Sequence, residues 1–145
     1  ENRIIYKIAG DPKYYNKIKY VMPRLNHPTV MVKKEVYDKF GLFDTNFEMG
    51  MDYEWLLRVT KNGESGIYLS NICTYMLEGG VSEGKKTKAL MEERQIATLH
   101  GLNNKLGFFI YIFRLIKMAI RITIEKFFPK KHLFLFRPGK EYFNN

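Results

Sequence analysis

Apolar positions recur at helical spacing in four stretches of the chain. Between Met51 and Lys61, the residues Trp55, Leu56 and Val59 fall on one side, and Asn62-Gly63 supplies a stop. The spacing predicts a helix over 51–61. Lys33 to Phe40 predicts a second, with Val36, Tyr37 and Phe40 on its apolar side and Gly41 closing it. Lys85 to Leu99 predicts a third, turning Leu90, Met91, Ile96 and Ala97 inward and ending at His100-Gly101. The run LGFFIYIFRLIKMAIRITIEKFF, residues 106–128, predicts a fourth. At 100° per residue, Arg114, Lys117, Arg121 and Glu125 lie within about 80° of one another, and most of the remaining surface is apolar.

Strand signals are shorter. Arg3 to Ala9 alternates weakly and reads as a strand, followed by a turn at Gly10-Asp11-Pro12. Lys13 to Tyr20 reads as a short helix ended by Pro23. Thr29 to Val32 is an apolar, β-prone run and is expected to form a strand. Gly66 to Asn71 and Ile72 to Leu77 are β-prone too, with a break at Ser70-Asn71. Between the first two helices of the central region, Phe43 and Phe47 read as core plugs and Asp44 as a turn residue. Glu78 to Gly84 is a glycine-containing loop open to close backbone approach. Helices and strands together predict an α/β fold with few strands. With 145 residues the chain suffices for one core, and its 46% hydrophobic content excludes a disordered class.

Candidate chemistry concentrates at one helix start. Asp52 falls in the first turn of the 51–61 helix, where free N–H groups and the helix dipole favour a carboxylate. Positions three and four residues on are Trp55 and Leu56, so Asp52 has no cation at the spacing that pairs along a helix. Two readings stand: a helix-stabilising acid, or a general base kept ionised by the helix end. Glu54 and Arg58, four apart, read as a surface pair. His27 is a candidate only through its near-neutral titration. Cys73 is the single cysteine, which excludes an intrachain disulfide, and its apolar surroundings in sequence suit a buried thiol. There is no Asp-x-Asp, no Gly-x-Gly-x-x-Gly and no phosphate loop.

The order of short motifs changes the weights. His27-Pro28-Thr29, then Val36-Tyr37 with Gly41-Leu42-Phe43-Asp44, then Met51-Asp52-Tyr53-Glu54 with Arg58, then Gly79-Gly80-Val81-Ser82 resembles the second half of a family 2 glycosyltransferase of the GT-A, Rossmann-like fold. The resemblance covers roughly residues 1–100, leaving 101–145 as a basic amphipathic helical tail. It implies an inverting transfer of a sugar from a nucleotide-diphosphate donor to an acceptor hydroxyl, in cell-surface polysaccharide synthesis. It implies Asp52 as catalytic base, matching the Asp of the family's Glu-Asp pair, with Met51 in place of the Glu. It places His27, Arg58, Gly79, Gly80 and Ser82 near the substrates. It implies a divalent cation, Mn²⁺ or Mg²⁺, held mainly by a preceding donor-binding half. Many family members have a metal-contacting His just before the Ser; here Glu78 is the nearest alternative ligand. The first residues carry no initiator Met, which is compatible with a chain beginning partway through a longer protein.

Charge sharpens the reading of the tail. The net charge is +9, and residues 101–145 hold nine Lys or Arg against two Asp or Glu, leaving only +2 for the rest. The apolar run is interrupted by Arg114, Lys117 and Arg121, each costly at mid-membrane, so a spanning helix is disfavoured. Two readings remain. In the favoured one, residues 105–140 lie on an anionic membrane, placing the protein in the cytoplasm on the inner face of the plasma membrane. In the other the helix packs on the domain or on a second copy, and an uncovered sheet edge would also favour self-association. Nucleic acid is disfavoured because the aromatics are not interleaved with the basic residues. The functional alternative to an enzyme half with a glycan or lipid-linked acceptor is a non-catalytic membrane- or protein-binding module.

Overall fold

The computed structural model describes residues 6–8, 13, 18–22, 25, 27–69, 74, 84–127 and 140–142. These residues are mostly helical. The chain order is β1 (Tyr6–Ile8), a 3-10 turn (His27–Thr29), α1 (Lys34–Phe40), α2 (Met51–Lys61), α3 (Lys86–Leu99), α4 (Asn104–Phe127) and β2 (Lys140–Tyr142). Among the described residues the one ladder is antiparallel, with Tyr6 opposite Tyr142 and Ile8 opposite Lys140.

Four of the five expected helices form, each within two residues of its expected limits at the ends. Gly41 closes α1 at φ 79°, a left-handed conformation that side chains resist, and its N–H donates to the Tyr37 carbonyl at 2.8 Å. Helix α3 ends through Gly101 at φ 93°, with the Leu102 N–H reaching back to the Ala97 carbonyl at 2.9 Å. Two residues later Asn103 caps α4: its Oδ1 accepts from the N–H groups of Lys105 at 3.0 Å and Leu106 at 3.3 Å. The short link makes α3 and α4 a helical hairpin. Gly107 is buried at their crossing, where a Cβ would lie 3.4 Å from Thr98 Oγ1 and 3.5 Å from Leu102 Cδ2.

The core is small and centred on α2. Ile18, Tyr53, Leu57 and Ile96 are buried together, with Met22, Leu25, Phe47 and Leu56 packed against them. Tyr53 donates its hydroxyl to the Ile18 carbonyl at 2.7 Å, so the buried ring brings a satisfied polar tip. Burial pushes its phenol above the usual range; Glu93 adds to the rise and Arg114 opposes it.

Four sequence expectations are corrected. Thr29 to Val32 is not a strand: the Val30 N–H donates to the His27 carbonyl at 3.0 Å, closing a 3-10 turn, and Val30 and Val32 are half-buried without a ladder. A β-prone run needs a neighbouring strand to become one, and none is alongside among the described residues. Residues 18–20 form a turn instead of the end of a helix over 13–20. Residues 66–69 are irregular, and the remainder of the β-prone region apart from Thr74 lies outside the described residues. Met91 is also turned outward, while Glu92 on the same helix is buried.

Candidate functional site

Asp52 enters the first turn of α2 because the chain is delivered there by a fixed turn. Glu92, on α3, accepts at Oε2 from the N–H groups of Met49 at 2.7 Å and Gly50 at 2.9 Å. Its carboxylate thus occupies the end of α2 that favours negative charge. Gly50 is buried so close to α3 that a Cβ would sit 2.6 Å from Ile96 Cδ1. Asp44 shapes the approach, accepting from the Asn46 N–H at 3.0 Å as the expected turn residue. Glu48 ties the same segment to α3 through ion pairs with Lys85 and Lys88. Those contacts hold its carboxyl at about 2, well below its ordinary 4.5.

Asp52 itself is half-buried, and its Oδ1 accepts from the Tyr53 N–H at 2.8 Å. No basic side chain among the described residues pairs with it in an ion bridge. It borders a cleft of about 30 Å³ walled by Val30, Val32, Leu56 and an aromatic group of Tyr37, Phe43 and Trp55. The rings of Tyr37 and Trp55 lie 4.9 Å apart, those of Phe43 and Trp55 5.8 Å. Trp55 is anchored through Nε1 to the Gly41 carbonyl at 2.8 Å, which ties α2 to the end of α1. His27 lines the same cleft with its ring 5.6 Å from Phe43. A space of this size takes about two waters, so a larger group would extend beyond it. Phe43 and Phe47 are half-buried packing residues, as their sequence context predicts.

Arg58 does not join this cleft. It donates through Nε and Nη2 to Glu54, at 3.0 Å and 2.9 Å, and through its Nη atoms to the Phe40 and Leu42 carbonyls. Glu54 is only 5% exposed and also meets His100 Nε2 at 3.1 Å. The expected surface pair is therefore a three-residue junction around the buried Glu54, with Arg58 and His100 part-buried, joining α1, α2 and the end of α3. The i to i+4 spacing identified the pair, but not that α1 and His100 close over it.

Sequence reasoning missed Glu92, Glu93 and His100. The available signal was an acid, Glu92, four residues before the inward Ile96 on the expected apolar face of α3. Glu93 accepts from the Met22 N–H at 3.2 Å and pairs with Arg114 of α4. Gly79, Gly80, Ser82, Glu78 and Cys73 lie outside the described residues. Among the described residues no group of three or more His, Cys, Asp or Glu side chains could hold a metal ion. No described helix is long and apolar enough to cross a membrane. Comparison of the chain with protein-family models, curated proteins and solved structures gives no match.

Proposed function

We propose that this chain is the acceptor-side, base-bearing half of an inverting family 2 glycosyltransferase with a partial GT-A fold. The observation that carries the reading is the place of Asp52: first turn of α2, no cationic partner among the described residues, lining an aromatic cleft together with His27. The acceptor hydroxyl sits at the mouth of that cleft. Its oxygen attacks the anomeric carbon of a nucleotide-diphosphate sugar while Asp52 accepts its proton, and the bond to the diphosphate breaks on the opposite face. General-base assistance of this kind typically supplies about 10² to 10⁴ in rate. Trp55 and Tyr37 keep the carboxylate's surroundings apolar on one side. Arg58 has a structural task in this scheme, since Glu54 and two carbonyls occupy it.

In this reading the divalent ion that the motif resemblance implies is held mainly by the donor-binding half. The acceptor is a glycan or lipid-linked glycan, in keeping with the basic tail and with peripheral attachment to the inner face of the plasma membrane. A second reading, a non-catalytic membrane- or protein-binding module, is favoured by one observation: the apolar side chains that α4 exposes.

Asp52→Asn separates the two. The amide keeps the shape and still accepts a hydrogen bond, but takes no proton at neutral pH. In full-length enzyme, assayed for sugar transfer from a panel of nucleotide-diphosphate sugars, the substitution is expected to lower turnover by about 10² or more. The melting temperature should hardly change, since Asn serves a helix start nearly as well. Undiminished transfer would move the base elsewhere and leave Asp52 a helix-start acid.

A further inference from the structure

The rotation of α4 about its axis is fixed by what it packs on. Gly107 is buried against α3, and seven residues later, on the same side of the helix, Arg114 is drawn onto Glu93. Within the grouping of Arg114, Lys117 and Arg121 on the helical projection, Arg114 is thus the member turned onto α3. The side turned away from α3 carries Leu106, Phe109, Phe113, Ile116 and Ile120, spaced alternately by three and four residues. These are open: Phe109 is 68% exposed, Phe113 62%, Ile116 53% and Ile120 54%. Such a row is a seam wanting a cover, either a second helix or an apolar medium.

The residues flanking the seam decide between them. The charged side chains beside it are Lys105, Lys117 and Lys126; the other flanking positions are apolar. A second copy of this helix would set these lysines mostly against apolar flanking residues, with no acid at any flanking position to answer them. An anionic surface answers all of them. Lys117 already lies along the seam, its Nζ 5.6 Å from the Phe113 ring centre, with its apolar stem down and its charge at the edge.

Resting on the peripheral attachment proposed above, we infer that α4 lies in the surface of an anionic bilayer with the Leu106–Phe109–Phe113–Ile116–Ile120 row among the acyl chains. The lysines sit at headgroup level on both borders of the row. The Glu93–Arg114 pair and the α3 packing lie on the water side and hold the rest of the molecule above the membrane.

The test uses the full chain with Cys73 replaced by Ser and single cysteines placed by Phe113→Cys, Ile120→Cys and Lys61→Cys, each carrying an environment-sensitive fluorophore. Vesicles are phosphatidylcholine alone, or phosphatidylcholine with an equal part of phosphatidylglycerol. Flotation with the mixed vesicles is expected, with blue-shifted emission at 113 and 120 and none at 61. Phe113→Ser combined with Ile120→Ser should weaken flotation at least about tenfold without lowering the melting temperature in buffer. If the parent chain floats on mixed vesicles but the labels at 113 and 120 stay in water, the assignment of this face is overturned while peripheral attachment stands. If the parent chain fails to float and sediments as a dimer that the double substitution dissolves, both fall and a second copy covers the seam.

Discussion

Helix α2 carries Asp52, Glu54, Arg58, Thr60 and Lys61 among its eleven residues, yet it buries five residues, Glu54 among them. Helix α4 is far richer in Phe and Ile, yet among its described residues Gly107 is the one that is buried. Composition runs opposite to burial in the pair. The difference lies in neighbours: α2 has α1 on one side and α3 on the other, whereas α4 has α3 along one side. A polar residue inside α2 is tolerable because each has a partner, as Glu54 has Arg58 and His100. An apolar residue on α4 remains outside because, among the described residues, α3 packs along only one side of the helix.

The largest expected effect sets one apolar truncation on each helix against the other. Leu57→Ala removes a fully buried side chain from the central core and should cost about 3 kcal/mol of stability. Ile120→Ala removes a comparable side chain that is half open and should change stability by less than about 0.5 kcal/mol in the absence of a surface. Paired denaturant titrations measure both, and equal losses would show that α4 is covered within the monomer.

Next comes the Glu54 junction. Glu54→Gln keeps the size of the side chain but leaves the Arg58 charge facing an amide in a largely desolvated site. A loss of about 2 kcal/mol is expected, less than outright removal of a buried partner because Arg58 retains the Phe40 and Leu42 carbonyls. A matched surface pair would cost a few tenths of a kcal/mol, so thermal melts of this variant distinguish junction from ornament. Lys34 and Asp38 on α1, both open to solvent, provide that matched pair.

How much of this was legible follows from the kind of signal each feature leaves. The limits of α1 and α2, and Gly41 as the closing residue, were readable because period and punctuation are local. The Asp44 turn was readable for the same reason. The burial of Glu54 was not, because it depends on His100 arriving from 46 residues away. Likewise the Glu92 contact with Met49 and Gly50 joins residues more than forty positions apart, and no spacing rule reaches so far. The strand expected over 29–32 failed because β propensity is conditional on a partner, and the sequence of one segment does not name it. The pairing of Arg114 with Glu93 was not legible because a helical wheel gives angles between side chains, not the side from which the next helix comes.

The smallest expected effect is at the edge of the core, where Glu48 meets Lys85 and Lys88. Its carboxyl titrates at about 2 in the folded chain, against an ordinary 4.5, so its contribution is present above 4.5 and disappears as pH falls through 2. All three groups are open to solvent, and salt weakens the pairing. Melts of the parent chain and Glu48→Gln at about pH 5 and about pH 3 should differ slightly more at the higher pH, and the gap should close in high salt. A gap that widened toward acid would reverse the sign and dissociate Glu48 from the lysines.

The crowding at Gly50 has an effect on how this protein would look in a genetic screen. A position where even a methyl group meets Ile96, one residue before α2 and two before Asp52, will reject nearly every substitution. Scored by activity alone, its intolerance would be indistinguishable from that of a residue touching the reactants. A mutational map would therefore draw the catalytic territory too large, spilling from the cleft back along the turn and across to α3. Scoring protein abundance beside activity would restore the border, because Gly50 variants would vanish from both readings and, with Asp52 as the proposed base, Asp52 variants from one.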